Sequence, residues 1–296
     1  MSKINRSGES WPYHENKHGD MVPCASNPCR LHGGSEIIAS SAEEAYELKY
    51  EHNDEVKNAV LERDRKSIES LKNKISAAVH HGGYCSISSI DADGNMIGGS
   101  LPVIGMNVPE DRNIPVTFEV DSSFAGRYSR MLSRVFHDGD SGAQVSEEPA
   151  SAMKNMRMFV THDGLSGAAL AKDGCNADND DPDYVTAVCK DRSCTWRHSA
   201  SGTVGNAISN GGRRLDCFDT FLPKIYGSLG FKPVARIPFN KEYAPETWDY
   251  ETMKPYHDGC PDVVFMSIQP SSEPVKNIED YDEALHYTYD CSHDNI

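Results

Sequence analysis

Tyr226 stands in the run Arg213–Phe239, RRLDCFDTFLPKIYGSLGFKPVARIPF, and carries a hydroxyl able to deliver a proton. A phenol with a pKa of ~10 stays protonated at neutral pH and can hand its proton to a leaving group of comparable basicity within hydrogen-bond reach. Asp216 and Asp219, in the same run, are carboxylates able to take a proton from a substrate, directly or through water. In an alternating strand Asp216 and Phe218 share one face, with Cys217 and Asp219 on the other. Upstream, Trp196-Arg-His-Ser-Ala-Ser-Gly202 is a stretch of mostly small residues at a helix start, where free N–H groups and the helix dipole favour anions. Each has a plainer reading. Tyr226 also fits core packing, Asp216 a solvated edge, and Asp219 or Thr220 a helix cap.

Metal chemistry has a separate candidate near the start of the chain. His14, His18, Cys24, Cys29 and His32 bring five N or S donors into nineteen positions, and tetrahedral zinc needs four. The most economical set is Cys24, Cys29 and His32 with either His14 or His18. A Cys24–Cys29 disulfide, or an arm without metal, fits the same residues. The acidic run Asn176–Asp183 lacks the alternating ligands and central glycine of a calcium loop and reads as a solvated hairpin tip. His80, His81 and His137 have no partners at diagnostic spacing and read as surface or loop residues.

The elements that must position these groups follow from periodicity and punctuation. Residues 1–40 form a Cys/His-rich arm with little pattern. Ser41-Ala-Glu-Glu44 has capping-box spacing and opens a helical region over 41–82, with an interruption expected at Asn53-Asp54. A strand–helix segment follows over 83–155. It holds a hairpin around Asp91-Ala-Asp-Gly94, a strand at Val116–Val120, and a helix after Ser122 or Ser123 with Phe124, Tyr128, Met131, Leu132, Val135 and Phe136 inward. Strands are expected at Met156–Thr161, Leu165–Ala171 and Tyr184–Cys189, then a helix over Ser199–Asn210. A strand at Leu215–Phe218, a helix through Leu222, Ile225, Tyr226 and Leu229 stopped by Gly230, and further strands from Val234 and over Asp262–Ile268 complete a domain at 156–270. Residues 271–296 read as an acidic tail. Mixed order of this kind indicates α+β with a mostly antiparallel sheet.

Composition narrows the function classes. The net charge of −16 over 296 residues opposes broad binding to nucleic acid or anionic membrane. No apolar run approaches ~18 residues, so no spanning helix is expected. The first residues, MSKINRSGESW, lack an apolar signal core, which points to a cytoplasmic or virion-packaged protein. Nine cysteines in a reducing compartment are expected to be mostly free thiols.

The helix ending in Tyr-x-x-x-Gly-Phe and followed by a strand resembles the C-terminal half of the GNAT-type N-acyltransferase superfamily. The resemblance implies the acyl-CoA N-acyltransferase fold over about Met156–Ile268 and acetyl-CoA as cofactor. It implies that Tyr226 protonates the leaving thiolate and that Asp219 or Asp216 serves as base. The strand at 184–189 would offer the backbone of Val188 and Cys189 to pantetheine. The loop Arg197-x-x-Ala200-x-Gly202 would cradle the pyrophosphate, with Arg197, Ser199, Ala200, Ser201 and Gly202 as its residues. A second register sets His198 and Ala200 at the two glycine positions. The connection before the last strand, NKEYAPETWDY, would border the acceptor through Glu242, Tyr243 and Trp248, though its aromatics also suit a flap covering the sheet.

The resulting expectation is transfer of an acetyl or acyl group from coenzyme A to an amine on a small molecule or protein. Similarity of LDCFDTFLPKIYGSLGF and its continuation to uncharacterised bacteriophage and actinobacterial proteins supplies the competing expectation. It is a catalytically inactive fold of the same type, serving as a phage-encoded or virion-associated interaction protein with a phage or host partner.

Overall fold

Local capping sets the first helices. The computed structural model describes residues 11–15, 21–25, 37–138, 144–172, 182–244, 248–268 and 274–293, and the chain divides into two compact units, Met1–Ile104 and Gly105–Ile296. In the first, strands β1 (Trp11–Glu15), β2 (Met21–Pro23) and β3 (Ile37–Ala39) form an antiparallel sheet in the order β2-β1-β3. Ser41 caps α1 (Ala42–Lys57) by accepting from the Glu44 N–H at 3.1 Å, while the Glu44 carboxylate accepts from the Ser40 N–H at 2.7 Å. These contacts satisfy N–H groups that the helix itself cannot.

The interruption expected at Asn53-Asp54 does not occur, since α1 runs on to Lys57. Asn53 is buried, and its side-chain oxygen accepts from Ser88 Oγ at 2.9 Å, which gives a polar residue a place inside a helix. The break comes later, through a π-helical turn at Asn58–Glu62 and left-handed Arg63. Asp64 is the cap of α2 (Arg65–His80), accepting from the Ser67 N–H at 2.8 Å. Beyond it, β4 (Cys85–Ile90) and β5 (Met96–Asn107) form an antiparallel hairpin around Asp91–Gly94.

The second unit carries the sheet that concerns function. Its elements are β6 (Thr117–Val120), α3 (Ala125–His137), α4 (Ala150–Met153), β7 (Met156–Thr161), β8 (Ser166–Ala171), β9 (Val185–Lys190), α5 (Ser199–Ser209), β10 (Arg214–Phe218), α6 (Leu222–Gly227), β11 (Lys232–Ile237), α7 (Tyr250–Met253), β12 (Val263–Ser267), β13 (Lys276–Asn277) and α8 (Tyr281–His293). The strands and helices expected between 156 and 268 are found. The helix after β6 is introduced by Asp121, whose side chain accepts from Ser123, in place of a Ser122 or Ser123 cap. The described part of the acidic tail forms β13, parallel to β11, and α8, which buries Ala284, Thr288 and Cys291.

Strands β6, β7, β8 and β9 pair antiparallel in chain order. A second group, β10-β12-β11, is antiparallel, with β13 added at its edge. The architecture is therefore α+β with a mostly antiparallel sheet. One face of β10 and β12 turns Leu215, Cys217, Val264 and Met266 into a core with Val185, Val204, Ala207, Tyr226 and Phe231. The other face packs Phe265 with Val234, Ala235 and Ile237 against Ala284 and Cys291 of α8.

Two contacts shape β9. At its start Arg214, without exposed surface, makes a two-pronged ion pair with Asp183 at 2.9 and 2.7 Å, its guanidinium lying 5.4 Å from the Tyr184 ring and 4.7 Å from that of Tyr289. Midway, register slips between Gly167 and Ala169 of β8, and Ala187 adopts a left-handed φ of 50°. Tyr128 of α3 donates to the Ala187 carbonyl at 2.9 Å. It can do so because residue 167 is glycine, since a Cβ there would lie 2.5–2.7 Å from the Tyr128 ring and hydroxyl.

Two substitutions test these contacts in urea denaturation. Arg214→Ala, which leaves the Asp183 carboxylate buried and unpaired, should cost about 3–5 kcal/mol. Gly167→Ala should cost about 1–3 kcal/mol through overpacking against Tyr128, and an unchanged midpoint in either case would refute the corresponding contact.

Candidate functional site

Strands β9 and β10 meet at one end and part. Their link is a parallel bridge between Tyr184 and Arg214, reinforced by Asp183 O accepting from the N–H groups of Arg213 at 2.7 Å and Arg214 at 3.1 Å. Beyond it, among the described residues, β9 pairs only with β8 and β10 only with β12. The bulge at Ala187–Val188 turns β9 away, because an extra residue on one strand bends it and sharpens its twist. Val188 and Cys189 follow the bend. Val188 is half-buried against the core, and Cys189 is buried, with its thiol pushed up to about 12 by burial.

Tyr226 sits on α6, whose Tyr226 carbonyl accepts from the Phe231 N–H at 3.2 Å past left-handed Gly230. Its ring meets that of Phe231 edge-on at 6.3 Å and is 5% exposed. Burial raises the phenol well above its ordinary value, and the Cys217 thiol, Asp216 carboxyl and Cys189 thiol are near enough to add to the rise. Reach to Cys217 on β10 and Cys189 on β9 puts the phenol at the gap between the strands. Its hydroxyl forms no hydrogen bond with any described residue. A phenol so held keeps its proton at neutral pH and has it available for a partner.

The loop 196–202 opens α5. Left-handed His198 ends the loop, and no side chain caps the helix. Arg197 and His198 are exposed, whereas Ser199 and Trp196 are 2% and 8% exposed. Neither Ser199 Oγ nor Trp196 Nε1 has a hydrogen-bond partner among the described residues. Orphaned buried donors beside an uncapped helix start suit the phosphates of a coenzyme. Ala200 and Ser201 lie in the first turn, half-buried. Gly202 has a different reason for being glycine. It lets α5 approach Pro115 and Thr117, and a Cβ would sit 3.0 Å from Thr117 Cγ2 and 3.1 Å from Pro115 O.

The two candidate carboxylates point to different surroundings. Asp216 lies on the face of β10 opposite Cys217, where Tyr184 and Tyr281 bond it, and burial raises the carboxyl against their lowering pull. Asp219, beyond the strand end, pairs with Arg236 and lies 3.6 Å from His257 Nε2. Arg236 also reaches Asp262 at 3.4 Å. Arg236 and Cys217 both lie opposite Val264 in register, so all three share the Tyr226 face of the sheet. Neither Asp219 nor Thr220 caps α6, whose cap residue is Phe221.

The described part of the connection 240–262 is an aromatic pack. Trp248 is buried against Phe218 at 4.8 Å and Phe239 at 5.1 Å, and its indole N–H donates to the Gly259 carbonyl at 3.0 Å. Glu242 is exposed in a short turn at 241–243 begun by Asn240. Tyr243 belongs to that turn, and its side chain lies outside the described residues. His257 and Asp258 both adopt left-handed φ, 46° and 52°, followed by Gly259 at 88°. The two non-glycine residues cost on the order of 1–3 kcal/mol each. Their place was not evident beforehand, because His257 carries no diagnostic spacing.

In the first unit, His14 Nδ1 lies 3.2 Å from Cys24 Sγ. Cys29, His18 and His32, needed for the zinc site, lie outside the described residues. Among the described residues no group of three or more His, Cys, Asp or Glu side chains could hold a metal ion, and no helix is long and apolar enough to cross a membrane.

No protein-family model matches this chain, and neither does any curated protein sequence. Among solved structures it is similar to yncA of Salmonella typhimurium, a candidate acetyltransferase with its cofactor acetyl-CoA. The identity is 13% and the TM-score 0.34, over 53% of this chain and 96% of that one. It is also similar to Rv2747 of Mycobacterium tuberculosis in complex with CoA, at 15% identity and a TM-score of 0.31, over 51% of this chain and 98% of that one. Overlaps this loose carry no argument about chemistry, which rests on the geometry above.

Proposed function

We propose that the second unit is an acyl-CoA-dependent N-acyltransferase, with the gap between β9 and β10 as its cofactor site. The observation that carries the reading is the Tyr226 hydroxyl, protonated, unbonded to any described residue and set where the two strands part. Coenzyme A, when bound, supplies the acyl group as a thioester. The start of α5 would hold its phosphates through free N–H groups, Ser199 Oγ and Trp196 Nε1, with exposed Arg197 adding positive charge. Of Val188 and Cys189, Val188 stands outside the register with β8 and is the better placed to offer its backbone to an amide-rich arm, since the Cys189 carbonyl accepts from Ser166 Oγ at 2.9 Å. Tyr226 would give its proton to the departing sulfur, and its raised pKa keeps that proton in place until the bond breaks.

Of the two carboxylates, Asp219 is better placed than Asp216 to act on an acceptor. It shares the surroundings of Arg236 on the Tyr226 face, while Asp216 is engaged by two tyrosines on the other. The acceptor is an amine on this reading, since a proton donor at the sulfur and a carboxylate cluster nearby serve aminolysis of a thioester.

Calorimetry with coenzyme A tests the site directly. The wild-type protein should bind, and Ala200→Asp, which sets a carboxylate in the first turn of α5, should weaken binding by about tenfold or more, or ~1.4 kcal/mol. No heat at millimolar coenzyme A would overturn the reading. In turnover, Tyr226→Phe should lower kcat by roughly 10²–10⁴ while coenzyme A affinity holds, and a kcat equal to wild type would remove Tyr226 from the chemistry.

A further inference from the structure

Four titratable side chains from four separate segments meet beyond the end of β10. Asp219 follows that strand, Arg236 comes from β11, Asp262 precedes β12, and His257 rises from the turn after α7. Arg236 is shared by the two carboxylates, with 30% of its side chain exposed against 24% for Asp219 and 27% for Asp262. His257 differs from the rest. It lies 3.6 Å from Asp219 with about half its side chain exposed, and no other ion pair is found for it among the described residues.

The backbone that carries His257 is the most strained segment described. Three successive residues, His257, Asp258 and Gly259, hold positive φ. Residue 259 must be glycine, because a Cβ would lie 2.7 Å from the Tyr250 carbonyl oxygen, and Trp248 fixes that residue through its carbonyl. The Trp248 indole is itself held by Phe218 and Phe239. An aromatic cluster thus enforces an unfavourable turn whose product is one imidazole aimed at one carboxylate. Strain maintained by so much surrounding structure is a mark of function.

We propose that His257 is the general base that removes a proton from the acceptor amine, with Asp219 as the residue that positions it. The proposal rests on the acyl-transfer reading and deepens it. With Nε2–H turned toward Asp219, Nδ1 keeps its lone pair and faces away. An acceptor ammonium gives one proton to Nδ1, and the freed amine lone pair attacks the thioester carbonyl carbon. The C–S bond breaks as sulfur takes the proton of the Tyr226 hydroxyl. The nitrogen's surplus proton returns to the Tyr226 oxygen through water, and His257 releases its proton to solvent. The net products are an amide, a thiol and one proton. The charged groups around His257 are Asp219, Asp262, Arg236 and its neighbour Asp258. Three carboxylates against one guanidinium favour a cationic acceptor, so the substrate class is an amine protonated at neutral pH.

The test compares two nucleophiles with acetyl-CoA as donor: n-butylamine, protonated at pH 7, and hydroxylamine, mostly unprotonated there. His257→Ala should lose about 10²-fold or more in kcat with butylamine, keep hydroxylamine turnover within about threefold, and recover butylamine turnover when imidazole is added. Asp219→Asn should lower butylamine kcat less than His257→Ala, without raising KM for acetyl-CoA. Coenzyme A affinity by calorimetry should stay within about twofold in both variants. Equal losses with both amines and no imidazole rescue would assign His257 a structural role and overturn the proposal, while leaving acyl transfer standing. A wild-type protein that binds no coenzyme A and acylates neither amine would overturn the acyl-transfer reading, and this proposal with it.

Discussion

A guanidinium with no exposed surface governs the second unit. Arg214 would be intolerable inside the protein without a counter-charge, and Asp183 supplies one with two parallel bonds. Tyr184 and Tyr289 cover its faces, so strand, strand and C-terminal helix are drawn to one point. Because the pair joins residues just ahead of β9 and at the first position of β10, it closes the two strands at their beginnings only. Among the described residues, no contact of the same strength holds their far ends. The bulge at Ala187, secured by Tyr128 in the space left by Gly167, bends β9 the other way. A wedge-shaped opening is what one tight joint and one bend produce.

Around that opening the remaining parts take consistent places. Helix α5 begins beside it with buried donors unsatisfied, α6 brings Tyr226 to it, and the charged cluster at the end of β10 lies on the same face of the sheet. The two faces of β10 divide the labour by alternation alone. Leu215 and Cys217 face the phenol, while Arg214 and Asp216 face α8 and bind it through Tyr289 and Tyr281.

Much of this was legible in the sequence where the signal is local. Periodicity located the strands from Met156 to Ile268 and the helix at 199–209, and Gly230 marked the end of α6 by the left-handed backbone it now shows. Alternation assigned the faces of Asp216 and Cys217. Readings failed where the partner is distant. Asn53 looked like a helix breaker because its bond to Ser88 could not be seen. Gly167 inside a strand pattern was the available sign of a bulge, but its meaning needs Tyr128. The partners of Asp219, namely Arg236 and His257, come from segments that periodicity does not connect. A loop glycine-poor by pattern, 196–202, turns out to have two unsatisfied donors, Trp196 Nε1 and Ser199 Oγ, whose burial only tertiary packing creates.

Among the described residues, the side of β9 away from β8 pairs with no strand, and this has a further consequence. A strand with free N–H and C=O groups along one side is a template for pairing with another chain, and natural sheets guard such borders. Here the guard is built from the same kink that opens the wedge. Left-handed Ala187 breaks the straight run of donors and acceptors after two residues, too short a stretch for a stray strand to register against. The distortion that parts β9 from β10 therefore also discourages aggregation.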